Sequence, residues 1–194
     1  MIRGVEDRLR QVLSQRKKRH IFHPRRVASA VLVPIYRKQG QYHILFIQRT
    51  SNVKDHKGQI SFPGGAYEEH DATLLNTALR ESAEEIGLRP EDVDILGELD
   101  DMLTIGTSYV ISPFVAAIPW PYEFKVDRWE TEEIIEVPIS ALLDQKCRRQ
   151  ETDVLEGRVV KTYFYHYQGR VIWGATARIL KQFLDIVAPL LAEG

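Results

Sequence analysis

The chain has 194 residues, 44% of them hydrophobic and 27% charged, a composition typical of one globular domain with a substantial core. Its 26 basic and 27 acidic residues give a net charge of −1, so net charge indicates no partner, and no nucleic-acid ligand is expected. The single cysteine, Cys147, excludes an intrachain disulfide and a cysteine-based zinc site, and no run approaches the roughly 20 apolar residues of a membrane helix.

The N-terminal segment is predicted to form an amphipathic helix. Its apolar residues recur at helical spacing and would share one face: Val5, Leu9, Val12 and Leu13. We expect residues 1–26 to form this basic helix and a lead-in, packed on a single domain of residues 27–194. Because the segment lacks an apolar signal-peptide core, a cytoplasmic location is expected. The oligomeric state stays open, a homodimer included.

Charge is distributed unevenly along the chain. Residues 1–30 contain nine Lys or Arg and two acids, whereas residues 66–101 contain twelve acids and two Arg. One interpretation is that a basic flank helps to deliver a polyanion to a cation-filled acidic pocket. The other is that the N-terminal part is a solvated charged helix.

Strand-like and helical segments alternate through the rest of the chain. Strands are predicted at residues 28–36, 42–48, 93–99 and 108–118, with a loop at 100–104 and a hairpin of 158–167 and 170–173 around Gly169. An amphipathic helix closes the chain, with these residues inward: Ile179, Leu180, Phe183, Leu184 and Val187. Strands interleaved with helices indicate an α/β fold with a mixed sheet between helices.

Residues 58–88 end in the helix around which the rest is organised. Its apolar residues would share one face, and they are Leu75, Leu79, Ala83 and Ile86. Glu81, Glu84 and Glu85 stand at i, i+3 and i+4 with Arg80 beside them, close enough for their carboxylates to converge on one point. Gly87 is a helix stop signal, so the glutamates occupy the end of the helix.

Carboxylates in the last turn of a helix are unfavourable by roughly 0.3 to 1 kcal/mol per charge, and they repel one another. A divalent cation such as Mg²⁺, which prefers oxygen ligands, would reverse both effects. The alternative is a solvated acidic face on an ordinary amphipathic helix. The Phe-Pro-Gly-Gly turn at residues 62–65 favours the metal site, because glycines let the backbone and its carbonyl oxygens approach an ion closely.

This segment resembles the Nudix box, G-x5-E-x7-R-E-U-x-E-E-x-G-U, in which U is aliphatic. The matching residues are Gly65, Arg80, Glu81, Glu84, Glu85, Gly87 and Leu88. Gly65 lies fifteen residues before Arg80 where the pattern has fourteen, and Ser82 replaces an aliphatic residue. Asp71 is the one counterpart of the inner glutamate, which leaves its role open.

The preceding residues resemble the coenzyme A pyrophosphatase group of the Nudix superfamily. Its upstream signature is matched by Arg49, Thr50, His56, Gly58, Gln59, Phe62, Pro63, Gly64 and Gly65. The longer spacing before the helix recurs in that group, and residues 97–118 and 173–177 are also similar to it. Lys54 stands where the group has Arg and keeps the charge without the planar guanidinium fork.

A basic loop before a glycine turn is a reasonable clamp for a phosphorylated nucleotide. Its members are Arg49, Lys54, His56 and Lys57. A solvated basic loop is the alternative. His56 would orient or contact phosphate rather than bind metal, since no second histidine lies at ligand spacing.

A second acidic group follows an aromatic loop at residues 120–129. Glu130 is most similar to the distal glutamate of the superfamily, with Glu132 and Glu133 as rivals. Aromatic residues of the loop could stack on adenine or pack structurally, namely Tyr122, Phe124 and Trp129.

The resemblance implies a Nudix α/β/α sandwich and a Mg²⁺- or Mn²⁺-dependent pyrophosphohydrolase. Glu81 and Glu85 would be the principal metal ligands, with Glu84 as a further ligand or water-mediated partner and the Gly64 carbonyl completing the shell. Arg80 would orient the glutamates. The remaining roles would be Glu130 as base or additional metal ligand, and Arg49, Lys54, His56, Lys57 and Gly65 in substrate binding.

The implied substrate is coenzyme A or an acyl derivative, cleaved to 3',5'-ADP and 4'-phosphopantetheine. Rival substrates are ADP-ribose, NADH and dinucleotide polyphosphates. A non-catalytic nucleotide-binding regulatory module is the competing class of protein. Retention of four charged residues, Arg80, Glu81, Glu84 and Glu85, argues against it, because a module without metal would gain stability by losing carboxylates at the helix end.

Overall fold

The computed structural model describes residues 4–51, 58–155 and 158–192. The strands are β1 Val27–Lys38, β2 Gln41–Arg49, β3 Ile60–Ser61, β4 Gly64–Ala66, β5 Asp94–Glu98, β6 Met102–Leu103, β7 Tyr109–Ala117, β8 Thr131–Pro138, β9 Arg148–Leu155, β10 Arg158–Tyr167 and β11 Arg170–Ile172. The α-helices are α1 Val5–Gln15, α2 Leu74–Ile86, α3 Ile139–Leu143 and α4 Gly174–Ala192, and 3₁₀ turns span Glu69–Asp71, Pro90–Asp92 and Gln145–Cys147.

The main sheet is mixed and has the strand order β3-β2-β1-β7-β5, with β8 pairing β2. The long neighbours β1 and β7 are parallel, from Val27 opposite Tyr109 to Ile35 opposite Ala117. The other described pairings in this sheet are antiparallel. Two short strands continue it, β4 on the first half of β1 and β6 on the first half of β7.

Hydrophobic residues fill both faces of the sheet, because the apolar runs of β1, β2 and β7 are buried on both sides. One face packs under α2, with Leu32, Ala78 and Ile86 in its core. The other packs under α1, α3 and α4 through Leu9, Leu142 and residues of α4, and includes part of the small sheet β11-β10-β9. The predicted α/β/α sandwich with a mixed sheet is confirmed.

The central helix begins and ends where the sequence indicates. Thr73 Oγ1 accepts a hydrogen bond from Asn76 N–H (3.1 Å), and Gly87 closes the helix with a φ of 68°. The predicted apolar face is wrong in part, since Leu75, Leu79 and Ala83 are only half-buried.

The buried face of α2 contains Ala78, Ser82 and Glu85 together with the predicted Ile86, and Thr77 is buried beside Ala78. Positions 78, 82, 85 and 86 follow i, i+4, i+7 and i+8, so they form one stripe that faces the sheet. Ser82, which replaces an aliphatic residue of the Nudix box, is fully buried and donates its hydroxyl hydrogen bond to the Ala78 carbonyl (2.7 Å). One of the predicted metal ligands, Glu85, therefore lies on the buried face.

Several segments differ from the sequence-based expectations, among them β8, a strand of the main sheet that pairs with β2 and was not predicted. The predicted loop at residues 100–104 contains β6, which is too short to show a period in the sequence. Strand β9 was not predicted, because its polar sequence is ordered by pairing with β10. The hairpin of β10 and β11 is confirmed, with Gln168 and Gly169 both at positive φ.

Basic residues of the N-terminal segment pair with acids that follow α2. Arg10 contacts Asp94 (2.7 Å) and Arg16 contacts Asp100 (3.0 Å). Lys18 contacts Asp101 (3.1 Å). Much of the charge asymmetry in the sequence is thus used in ion pairs between α1, its C-terminal extension and the β5–β6 region. Among the residues described, no helix combines the length and apolar character that a membrane span requires.

Candidate active site

A cavity of about 780 Å³ lies between α2, the β4 turn and the start of α4. Many predicted site residues line it, namely Arg49, Gly64, Gly65, Arg80, Glu81, Glu84 and Glu130. Residues from distant parts of the chain also line it, including Thr104, Ile105, Tyr163, Trp173, Thr176 and Arg178. The sheet therefore brings the Nudix-box residues and the C-terminal helix to one cleft.

Arg80 is the centre of a hydrogen-bonded carboxylate network. Its Nη1 donates to Glu81 Oε1 (2.9 Å) and to Glu84 Oε2 (3.1 Å). Its Nη2 donates to the Ala66 carbonyl at the end of β4 (3.1 Å). A single guanidinium thus links two acidic residues of α2 to the glycine turn.

Asp71 holds the other side of this guanidinium. Arg80 Nε donates to Asp71 Oδ1 (2.7 Å) and Nη2 donates to Oδ2 (3.1 Å), the bidentate geometry of a strong ion pair. Asp71 is buried and also accepts from Thr77 Oγ1 (2.8 Å). These hydrogen bonds hold the pKa of Asp71 well below its usual range, and the hydrogen bond from Arg80 has the largest effect.

Glu85 lies deeper than the other glutamates, with 2% of its surface exposed. Gly64 N–H donates to its Oε2 (2.9 Å) and Arg49 Nη1 donates to its Oε1 (3.2 Å). Burial raises the pKa of Glu85 to about 8, against the opposing effects of Gly64 and Arg49, and the charges of Glu81 and Glu130 add to the shift. A nearby positive charge would therefore stabilise the ionised form of Glu85.

The two glycines of the turn let β4 lie against both β1 and α2. A Cβ on Gly64, whose φ is 150°, would lie 2.2 Å from the Ala30 carbonyl oxygen. A Cβ on Gly65 would lie 2.4 Å from the Glu81 carboxylate. Glycine at position 64 therefore allows β4 to lie against β1, and glycine at position 65 leaves room for Glu81 beside the turn.

Glu130 directly precedes β8 and lines the cavity, whereas its rivals do not line it. Glu133 pairs with Arg170 (2.7 Å), and Glu132 is exposed. Burial raises the pKa of Glu81, Arg80 opposes this, and the Glu84 and Glu130 charges raise it further. Glu130 is thus close enough to interact electrostatically with the helix carboxylates.

The aromatic residues of the preceding loop separate into two groups. Trp129 is 67% exposed and lines the cavity. Tyr122 and Phe124 pack against the core under α2, and Tyr122 Oη donates to Asp92 (2.9 Å). The structure assigns these two a structural role, so of the three predicted adenine contacts only Trp129 is near the site.

The predicted phosphate clamp is described only in part. Arg49 ends β2 with its side chain 22% exposed and contacts Glu85. Lys54, His56 and Lys57 lie outside the described residues.

A family model described as the NUDIX domain matches residues 25–157. The chain belongs to the Nudix family. An uncharacterized Nudix hydrolase NudL of Photorhabdus laumondii is 34% identical over 159 residues, which cover 82% of this chain and 84% of that protein. A NudL protein of Klebsiella pneumoniae is 34% identical over 173 residues, covering 89% and 88%.

Solved structures agree with the fold. A MutT/nudix family protein from Enterococcus faecalis superposes with a TM-score of 0.59 over 96% of this chain and 70% of that one, at 15% identity. At this identity the likeness shows the fold alone. The family model and the sequence relatives give the enzyme class, which is that of a Nudix pyrophosphohydrolase.

Nudix hydrolases generally use divalent metal ions, and the chemistry of the site fits one. Glu81 and Glu85 supply hard oxygen donors beside a glycine turn, and the raised pKa of each would fall next to a cation. The helix carboxylates do not converge on one point as predicted, because Glu81 and Glu84 turn toward Arg80 while Glu85 turns toward Gly64 and Arg49. Within the described parts of the chain, no three His, Cys, Asp or Glu side chains form a preassembled metal site.

Two features of the site were missed by sequence reasoning. The first is the ion pair of Asp71 with Arg80. The sequence did contain a signal for it, because Asp71 is the one acidic counterpart of the inner glutamate of the Nudix box. The second is the cavity wall contributed by Tyr163 and Arg178. Their patterns are those of a strand and an amphipathic helix, so nothing in the sequence marks them as site residues.

Proposed function

We propose that this Nudix hydrolase cleaves the diphosphate of coenzyme A or an acyl-coenzyme A, with Mg²⁺ or Mn²⁺, to give 3',5'-ADP and 4'-phosphopantetheine or its acyl derivative. The observation that supports this most is the convergence of two distant stretches that resemble the coenzyme A pyrophosphatase group. Gln59 and Phe62 from the upstream signature and Trp173–Thr176 from the C-terminal stretch line the same cavity. Residues similar to that group thus meet where a substrate would bind.

The size of the cleft also supports an extended nucleotide substrate. A volume of about 780 Å³ lies in the range of sites that enclose a drug-sized ligand. Its rim contains large exposed apolar side chains, Ile105, Trp129 and Trp173. Such a rim suits a substrate that combines a charged diphosphate with an adenine ring and an uncharged tail.

In the proposed mechanism, Glu81 and Glu85 would hold the metal, with Glu84 and the Gly64 carbonyl as additional ligands. A bound divalent ion would neutralise charge on the diphosphate and acidify water. Arg80, fixed by Asp71, keeps Glu81 and Glu84 in position beside the glycine turn. Arg49 and the Gly64 N–H, which belong to residues of the cavity lining, hold the buried Glu85 carboxylate beside the glycine turn.

Glu130 would act as the general base. It takes a proton from a water molecule as the water oxygen bonds to phosphorus and the bond from phosphorus to the bridging oxygen breaks. The bridging oxygen leaves with the other phosphate product. The proposal for Glu130 is supported by its place in the cavity lining and by its electrostatic effect on Glu81 and Glu85.

The direct test is to incubate purified protein with Mn²⁺ and coenzyme A and to measure 3',5'-ADP by chromatography. We expect product with the wild type, and a loss of about 100-fold or more with Glu85→Gln and Glu130→Gln. Glu132→Gln, which changes an exposed acid two residues from Glu130, is the matched control and should keep wild-type activity.

Two results would refute parts of this proposal. Undiminished product formation by Glu85→Gln would remove the metal role of Glu85. Hydrolysis of ADP-ribose, NADH or a dinucleotide polyphosphate but not of coenzyme A would reject the assigned substrate while leaving the enzyme class intact.

A further inference from the structure

Arg178 lies in the second turn of α4 and lines the same cavity as Gly65, Arg80 and Glu81 of the Nudix box. Its Nη1 donates to the Leu103 carbonyl in β6 (3.0 Å). That bond uses one of the five N–H donors of a guanidinium. The side chain is therefore anchored with donors remaining for a ligand.

The positive charge of Arg178 is poorly compensated by the protein. Burial lowers the pKa of its guanidinium, and the nearby charge of Arg19 lowers it further, while Tyr163 acts in the opposite direction. Within residues 4–51, 58–155 and 158–192, no Asp or Glu forms an ion pair with it. Arg10, Arg80 and Arg89, by contrast, each contact a carboxylate at 2.7 Å. An anionic ligand would remove this imbalance.

Strand pairing places Arg178 well away from the reacting diphosphate. β6 pairs with β7, β7 with β1, and β1 with β4, where Gly65 lies beside Glu81. Three inter-strand steps of about 4.8 Å separate Leu103 from the glycine turn by roughly 14 Å. This span is longer than a diphosphate, so an anion at Arg178 would be a separate group on the substrate.

From these contacts we infer that Arg178 is a specificity-determining residue that binds a phosphate monoester carried by the nucleoside part of the substrate. The inference rests on the proposed function, in which this group is the 3'-phosphate of coenzyme A. A guanidinium suits the role because it can donate two parallel hydrogen bonds to a phosphate.

The start of α4 adds to the positive potential around Arg178. Gly174, Ala175 and Thr176 form its first turn and line the cavity beside Arg178. The first N–H groups of an α-helix lack intrahelical acceptors and favour negative charge. They would reinforce the binding of an anion that Arg178 selects.

Binding without turnover tests this role. Titration calorimetry would compare 3',5'-ADP with AMP, two ligands that differ by the 3'-phosphate. We expect the wild type to bind 3',5'-ADP about tenfold more tightly than AMP, the scale of one charge-assisted interaction. Arg178→Gln should abolish this preference and Arg178→Lys should retain part of it.

Arg128→Gln is the matched control. Arg128 is exposed, donates Nη1 to the Glu132 carbonyl (2.6 Å) and is not part of the described cavity lining. It should keep the full preference. Thermal melts of each variant would show that Arg178→Gln remains folded, and Arg178→Lys preserves a charge if the Gln variant does not fold.

A parallel kinetic comparison of coenzyme A with its 3'-dephospho form separates this inference from the proposed function. In Arg178→Gln we expect KM to rise for coenzyme A and to stay unchanged for the dephospho form, with kcat unchanged for both. Equal use of both substrates by the wild type, or an unchanged preference in Arg178→Gln, would overturn the role of Arg178 and leave the pyrophosphatase intact. An Arg178-dependent preference for 3',5'-ADP without coenzyme A hydrolysis would support the site and reject the proposed substrate.

Discussion

The residue that organises the site is Arg80, and Asp71 determines where it points. The guanidinium uses Nε and Nη2 for Asp71, which leaves Nη1 for Glu81 and Glu84. A bidentate pair fixes the plane of the guanidinium as well as its position. The acid at position 71 thus acts on the helix glutamates through an arginine.

Replacing Asp71 with Asn should destabilise the protein by roughly 3 to 5 kcal/mol, the cost of breaking a buried ion pair. The side chains of Asp71 and Arg80 are 1% and 17% exposed. Urea denaturation would measure the free energy of unfolding. As a control, Asp94→Asn breaks an Arg10 pair whose side chains are 45% and 62% exposed, and it should cost less than about 1 kcal/mol. Equal losses in the two variants would contradict a buried structural role for Asp71.

The same ion pair predicts an acid dependence of stability. Asp71 has a folded-state pKa below its ordinary value of 3.8. Its ionised form therefore stabilises the folded state, and this stabilisation is complete above that pKa value. It is lost as the pH falls from about 4. Denaturation curves between pH 2 and pH 7 should therefore fall less steeply for Asp71→Asn than for wild type on the acid side. Parallel curves would show that Asp71 does not contribute to acid sensitivity.

At the scale of elements, the site depends on the close approach of β4 to α2. The turn places Gly64 and Gly65 so that one N–H reaches Glu85 and the other residue leaves room for Glu81. Helix α2 in turn directs Glu85 toward the sheet, because Ala78, Ser82 and Ile86 share its buried face. The glycine turn and the helix are therefore one functional unit.

Gly65→Ala should disrupt the close contact between the glycine turn and α2. A methyl group 2.4 Å from the Glu81 carboxylate must displace it, and a misplacement of about 1 Å in a catalytic group can cost roughly 100-fold in rate. The free energy of unfolding should fall as well, by about 1 to 3 kcal/mol, because of overpacking. Activity and urea midpoint, measured on the same preparation, would distinguish the two effects.

Gly40→Ala is the comparison for Gly65→Ala. Gly40 lies in the β1–β2 turn at a φ of 82° with no atom within 4 Å of an added Cβ. Its replacement strains the backbone and should lower stability without affecting kcat. If Gly65→Ala behaved in the same way, the close approach to Glu81 would have no catalytic importance.

At the scale of the whole molecule, the cleft exists because two layers of the sandwich meet at one end of the sheet. The carboxylates of Glu81 and Glu84 come from α2 on one face, whereas Arg178 comes from α4 on the other, with Trp173 directly before α4. Short strands β4 and β6 extend the sheet beneath the cleft. Substrate binding is therefore expected to link the two layers.

Divalent metal should stabilise the whole fold. A ligand at 100 times its dissociation constant adds about 2.7 kcal/mol to the stability of the state that binds it. We expect thermal melts to shift upward with Mn²⁺, and the shift to disappear with EDTA and in Glu81→Gln and Glu85→Gln. Glu132→Gln should retain it. Absence of any shift in the wild type at saturating Mn²⁺ would contradict the assigned ligands.

The sequence by itself determined the features that depend on local spacing. These features are the glutamates at i, i+3 and i+4, the helix stop at Gly87 and the glycine turn. They can be recognised in the sequence because a helix converts spacing into position within a few residues. The family follows from the same motif. Strands β1, β2 and β7 were also predictable, since they are long apolar runs, whereas the acidic strand β8 was not.

Only the tertiary structure decided which of these residues meet and what surrounds them. The burial of Glu85 depends on how α2 rotates against the sheet, and the separation of Trp129 from Tyr122 depends on the path of a loop. Arg178 reaches the cleft through the register of β6, β7 and β1 and the packing of α4. These outcomes result from contacts between residues far apart in the chain, which no local period of the sequence encodes.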